Sequence, residues 1–129
     1  MSVWYLDTSA ALKLVLEEPE SEALAHHIDS ERPDLAAGWL LETEMRRAAN
    51  RVAGLTMDAI SEFLLGVNLY EMPGSVFREA GLLPGPTLRS LDALHLSVAI
   101  RIGVESVVTY DRRMADSARQ LGLSVVAPC

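Results

Sequence analysis

The sequence predicts an α/β fold, a parallel sheet with helices packed on both of its faces. Short apolar runs of strand length recur along the chain, and stretches with the apolar period of a helix fill the intervals between them. Two of the apolar runs also end abruptly in an aspartate, at Asp7 and Asp111. Strands alternating with helices on this spacing pair in parallel, because a parallel connection needs a crossover long enough to hold a helix. Ligands of such sheets bind outside the carboxyl ends of the strands, which is where both aspartates fall.

Residues 3–6 (VWYL) are the first strand. Ser9–Glu17 follows as a helix, and a second helix starts at Pro19 and runs to about Ile28, proline being tolerated in a first turn. DLAAG at 34–38 is a weakly apolar second strand. In WLLETEMRRAANRVAG, Leu41, Met45, Ala48 and Val52 fall on one stripe, marking a helix that Gly54 is placed to cap. Thr56 opens another helix toward Val67. A short strand is expected at Leu69–Met72, a helix at Ser75–Ala80 and a loop at PGP 84–86. A helix then spans Leu88 to Ile102 and closes at Gly103. SVVTYD is a strand ending at Asp111, Arg112–Leu121 is a helix, and Leu123–Ala127 is the last strand.

At 129 residues, half of them apolar, the chain is expected to form a single domain over 1–129 with its own core. Its first residues lack the basic start and apolar run of a signal peptide, and no segment reaches the ~20 apolar residues of a membrane span. With one cysteine, Cys129, it has no means of forming an internal disulfide. A soluble, cytoplasmic protein is expected. The net charge of −7 argues against a broadly basic nucleic-acid binder, yet acids can also be gathered to hold a hard cation. Placement decides between these.

Taken singly, Asp7 and Asp111 have an ordinary explanation, since aspartate caps the helix that follows. Asp92 does not. At about 100° per residue it lies nearly opposite Ser90, Ser97 and Arg101, in company with Leu96 and Ala99, and a buried carboxylate is costly unless paired or metal-bound. On the 39–54 helix, Glu42 borders the apolar stripe near Arg46, and Glu44 borders its other side near Arg47 and Arg51. Periodicity leaves both open, and either acid could simply pair with a helix arginine. Acids gathered at one sheet edge would repel one another unless a divalent cation neutralised them. Oxygen ligands suit Mg²⁺ or Mn²⁺, and the implied chemistry is metal-assisted phosphoryl transfer or hydrolysis.

WYLDTSAALKL, TEMRRAANR, LRSLDALHLSVAI and VVTYDRRMADSARQLGLSVVAP, in this order, resemble the PIN-domain endoribonucleases, specifically the VapC-type toxins of bacterial toxin-antitoxin pairs. The resemblance covers essentially the whole chain. It implies a PIN-like three-layer sandwich with a parallel sheet of four to five strands. It also implies that Asp7, Glu44, Asp92 and Asp111 are the acids that bind Mg²⁺ or Mn²⁺ and activate water to cut RNA, with Thr8, Ser9 and Thr109 in support. Glu44, followed by MRRA, matches the family position better than Glu42. A homodimer and a VapB-type antitoxin partner, with an arginine placed among the acids, are further implications.

Other polar residues carry less weight. His95 lies on the apolar stripe with Leu91, Leu94, Val98 and Ile102 and reads as a packed core histidine rather than a base or ligand. Asp116, His26 and His27 read as surface residues, and Trp4 and Trp39 as core. Arg46, Arg47, Arg51, Arg112 and Arg113 either hold RNA phosphates or neutralise neighbouring glutamates. Tyr110 adjoins a proposed ligand and is a candidate for base stacking. Two other classes compete with the nuclease. One is a non-catalytic binding module on the same fold. The other is a haloacid-dehalogenase-type phosphatase, whose usual second aspartate is here Ser9.

Overall fold

In the computed structural model, which describes residues 2–129, five strands form one parallel sheet. They are β1 (Val3–Leu6), β2 (Asp34–Gly38), β3 (Asn68–Tyr70), β4 (Ser106–Val108) and β5 (Ser124–Val126), in the order β3-β2-β1-β4-β5. The helices between them are α1 (Thr8–Val15), α2 (Ser21–Glu31), α3 (Leu40–Ala49), α4 (Met57–Leu64), α5 (Gly74–Leu82), α6 (Ser90–Ile102) and α7 (Arg112–Gln120). The chain builds outward from β1 through β2 to β3, then returns to place β4 on the other side of β1. The strand order therefore reverses between β1 and β4, and the crevice at that reversal is the usual ligand site of an open parallel sheet.

The central strand is apolar on both faces because helices cover both. Trp4, Tyr5 and Leu6 are buried and pack in one core with Leu24, Leu41, Met45, Ile60, Leu96, Val98, Val107, Val108 and Met114. α6 is the most enclosed helix, with Ala93, His95, Leu96, Ser97, Val98 and Ala99 all buried. α5 covers the side that periodicity marks as polar. There Ser97 donates to the Val76 carbonyl at 3.4 Å, and Arg101 pairs with Glu79 of α5 at 2.5 Å. Leu91, by contrast, is 49 % exposed.

Several element boundaries differ from expectation for local reasons. The third strand is Asn68–Tyr70 rather than 69–72, because its partner β2 ends at Gly38, the register mate of Tyr70. The second helix starts at Ser21, not Pro19. The Ser21 hydroxyl accepts from the Glu18 amide and donates to the Leu16 carbonyl, holding residues 18–20 in a turn. α3 ends at Ala49, so Gly54 (φ +89°) is not its cap but part of the turn that follows. Gly103 does close α6 in the left-handed conformation (φ +78°). Trp39 is a correction to the expected core, being 43 % exposed just past β2, whereas Trp4 is buried. His27 is half-buried, not on the surface, because its ring stacks on Trp4 with centroids 5.3 Å apart. No helix among the described residues is long and apolar enough to cross a membrane.

Candidate active site

The ends of β1 and β4 are level, with Leu6 opposite Val108, and the Asp7 amide donates to the Val108 carbonyl at 3.2 Å. This register places Asp7 beside Thr109. The Asp7 carboxylate is buried and held on three sides. Its Oδ1 accepts from the Ala10 amide at 2.9 Å and from Ser9 Oγ at 2.7 Å, and its Oδ2 accepts a short bond from Thr109 Oγ1. The Ala10 bond makes Asp7 the N-cap of α1. Burial pushes the Asp7 carboxyl above its usual range, against the pull of the bonds from Thr109, Ala10 and Ser9. Ser9 and Thr109 are braced in turn. Ser9 Oγ accepts from the Tyr110 amide at 2.9 Å, and Thr109 Oγ1 accepts from the Asp111 amide at 3.1 Å.

Glu44 reaches the same edge from α3. Its Oε1 accepts from Thr8 Oγ1 at 2.6 Å and from His95 Nε2 at 2.5 Å. Burial raises its carboxyl, but the bonds from His95 and Thr8 outweigh burial and hold it below the usual range. Glu42 points elsewhere. It pairs with Arg46 one helical turn on, at 2.9 Å, in a shallow surface groove shared with Trp39, Ser61 and Leu69. The spacing of two residues that periodicity left ambiguous thus separates an acid turned to the sheet edge from one engaged at the surface.

Asp92 lies in the first turn of α6, half-buried. Burial pushes its carboxyl up, and the charges of Asp111 and Glu44 push it further. Asp111 is exposed and caps α7, Oδ1 accepting from the Arg113 and Met114 amides at 2.9 and 3.2 Å. Its Oδ2 accepts no hydrogen bond among the described residues, and neither does Oε2 of Glu44. Each carboxylate oxygen carries two lone pairs, so Asp7 Oδ2 also has one open beside Thr109. The scaffold thus grips one side of three acids and leaves an oxygen lone pair of each unengaged. The donors suit a hard divalent cation, and the charges of Asp111 and Glu44 already press on Asp92. They do not form a closed ligand set: among the described residues no three His, Cys, Asp or Glu side chains are grouped closely enough to hold an ion.

The structure sharpens three sequence readings. His95 is buried as a core residue would be, yet both of its ring nitrogens are engaged, Nδ1 with Tyr5 OH at 2.7 Å and Nε2 with Glu44. The signal for this was available in principle, since an imidazole on an apolar stripe must find partners for two nitrogens. Tyr110 does not offer a free ring: Lys13 Nζ lies 5.5 Å from its centroid and its hydroxyl donates to the Pro128 carbonyl at 2.6 Å. Arg46 is occupied by Glu42 and Ser61, while Arg47, Arg112 and Arg113 form no ion pair among the described residues, the latter two being exposed. Asp116 is exposed, 3.7 Å from Arg119.

The PIN-domain family matches residues 4–120, which takes in all four acids and the sheet edge that carries them. The chain is a PIN-domain protein. Its PIN domain is 38% identical to Ribonuclease VapC35 of Mycobacterium tuberculosis strain H37Rv, over 96% of each chain. It is also 38% identical to Ribonuclease VapC46 of the same strain, over 99% of each. Among solved structures, the fold resembles VapBC2 from Rickettsia felis, bound to a promoter DNA fragment, with TM-score 0.77, 14% identity and 98% and 99% of the two chains covered. It also resembles the M. tuberculosis sarcin-ricin loop cleaving toxin VapC20, with TM-score 0.72, 14% identity and 88% and 94% covered. The three-layer PIN fold and the VapC branch expected from the sequence are therefore those of this chain.

Proposed function

We propose that this PIN domain is the toxin of a type II toxin-antitoxin pair, a cytoplasmic endoribonuclease that hydrolyses RNA phosphodiester bonds with Mg²⁺ or Mn²⁺. The observation that carries the reading is the arrangement at the β1/β4 switch point, where three acids are gripped by the scaffold on one side and open on the other. Identity to proteins named ribonuclease across nearly the whole chain supports it. Asp7, Glu44, Asp92 and Asp111 would hold the ion. A bound divalent cation supplies a water of lowered pKa and stabilises charge on the phosphate and leaving oxygens. The protein's part is to bring carboxylates to one sheet edge and fix their orientation there. Hydroxyls of Ser9 and Thr109 on Asp7, and Thr8 and His95 on Glu44, favour the charged forms of those acids. Exposed Arg112 and Arg113, at the start of α7 beside Asp111, are placed to meet RNA phosphates.

A VapB-type antitoxin and a second copy of the chain are the protein partners of this reading. Structural neighbours solved as VapBC complexes support the first. A groove of about 390 Å³ between α5 and α6, of mixed polar and apolar lining and with Phe77 54 % exposed at it, is one surface open to a protein partner. The phosphatase alternative is not favoured, since Asp7 has bonds on both of its oxygens and no second aspartate two residues on.

The test is to incubate antitoxin-free protein with structured RNAs and with a phosphate monoester, adding Mg²⁺ or Mn²⁺ and then EDTA. Cleavage of RNA with either ion, abolished by EDTA, is expected. Hydrolysis of the monoester with intact RNA overturns the reading.

A further inference from the structure

We infer that Tyr5 and His95 form a hydrogen-bond relay of fixed direction that positions Glu44 from the backbone of β2. The relay starts at Gly38, whose amide donates to the Tyr5 phenol oxygen at 3.1 Å. Tyr5 is fully buried, so its own O–H proton needs an acceptor inside the protein, and His95 Nδ1 at 2.7 Å is the acceptor present. Nδ1 therefore carries no proton. In a neutral imidazole the proton then sits on Nε2, which donates it to Glu44 Oε1. If Nδ1 were protonated instead, the phenol oxygen would accept from both Gly38 and His95, and its buried proton would have no acceptor among the described residues.

Burial keeps the phenol protonated across the physiological range, as the relay requires. The result at the far end is asymmetric. Thr8 and His95 both bind Oε1, so the unengaged oxygen of Glu44 is Oε2. His95 and Tyr5 are thus positioning residues. They act through Glu44 and make no hydrogen bond to the other acids among the described residues.

The role of Glu44 in catalysis rests on the proposed nuclease function, whereas the direction of the relay does not, and the experiment separates the two. Nitrogen-15 NMR of the His95 ring in the full-length protein is expected to show the neutral Nε2–H tautomer, with Nδ1 unprotonated. An Nδ1–H tautomer or a fully protonated ring overturns the relay whether or not the protein cuts RNA. Tyr5→Phe removes the donor to Nδ1 and is expected to shift the ring toward a tautomer mixture and to move the Glu44 carboxyl carbon-13 signal. In RNA cleavage, Tyr5→Phe and His95→Leu are expected to lower kcat by about 10- to 100-fold with KM for RNA unchanged, the size of effect seen when groups supporting a ligand are lost. His95→Gln, whose amide can still donate to Glu44, is expected to recover part of that loss. Folded His95→Leu with wild-type kcat overturns the positioning role. Should the leucine variant fail to fold, the wild-type tautomer together with the kcat of folded Tyr5→Phe decides it.

Discussion

Asp7→Asn and Asp7→Ala are expected to differ in stability in EDTA, alanine below asparagine, and both to abolish cleavage when metal is restored. In the asparagine variant Oδ1 stays, still accepting from the Ala10 amide and from Ser9. Nδ2 replaces Oδ2 and donates to Thr109 Oγ1, whose own proton turns to Ser9 Oγ, 3.4 Å away. Every polar group keeps a partner, and only the charge is lost. Burial holds the Asp7 carboxyl above its usual range in the folded state, so the native protein binds that proton more tightly than the unfolded chain does. Ionised Asp7 therefore subtracts from stability at neutral pH. Stability returns as pH falls through the folded-state pKa toward the ordinary aspartate range, at about 1.4 kcal/mol per tenfold difference in proton affinity. The asparagine variant is expected to be at least as stable as the parent at pH 7 and to lack that slope. Alanine forfeits the N-cap, about 1 kcal/mol, and strands the Ser9 and Thr109 protons, about another 1 kcal/mol. Both variants lose the charge, so the sum of about 2 kcal/mol is the gap between them, and alanine is expected to melt roughly 8 °C below asparagine in a chain of this length. Thermal unfolding of the three proteins at pH 5 and pH 7 measures both effects. Equal destabilisation by asparagine and alanine, or an unchanged pH slope in Asp7→Asn, refutes the account of Asp7 as a cap that bears an unfavourable charge.

Three further predictions are independent of Asp7. Glu44→Gln is expected to lose cleavage and Glu42→Gln to retain it, because only Glu44 is turned to the sheet edge; RNA cleavage by the two purified variants compares them directly. Asp111→Asn keeps an oxygen for the Arg113 and Met114 amides and should unfold at the parent's temperature, whereas Asp111→Ala should cost about 1 kcal/mol in a denaturant titration, with cleavage lost in both. Gly38→Ala presses a methyl on Met72 and on Val98 Cγ2 at 3.3 Å, and is expected to cost about 1–3 kcal/mol by the same titration.

Much of this molecule is legible in its sequence because the determining forces are local. The VWYL run is apolar at every position, and only a strand covered on both faces has that need. Asp7 and Asp111 directly follow strands and directly precede helices, so capping and placement at the carboxyl edge follow from chain order alone. Asp92 stands out because a helix wheel is a local property.

What local pattern leaves undecided is settled by which element packs on which. Glu42 and Glu44 are equivalent on an isolated helix, and only the docking of α3 beside α1 and α6 turns Glu44 to Thr8 and His95. Trp39 reads as core by its type, yet no element covers it past β2, and Ser97 reads as surface until α5 lies over it. His95 was legible as buried but not as a connector, since Tyr5, Gly38 and Glu44 lie far from it in the chain. Chain order by itself marked the strands, the capping aspartates Asp7 and Asp111, and Asp7, Asp92 and Asp111 as candidate acids. Only the tertiary structure decided which side chains meet across elements, because hydrogen bonds between residues roughly 30 to 100 positions apart depend on sheet order and helix docking, which no local period encodes.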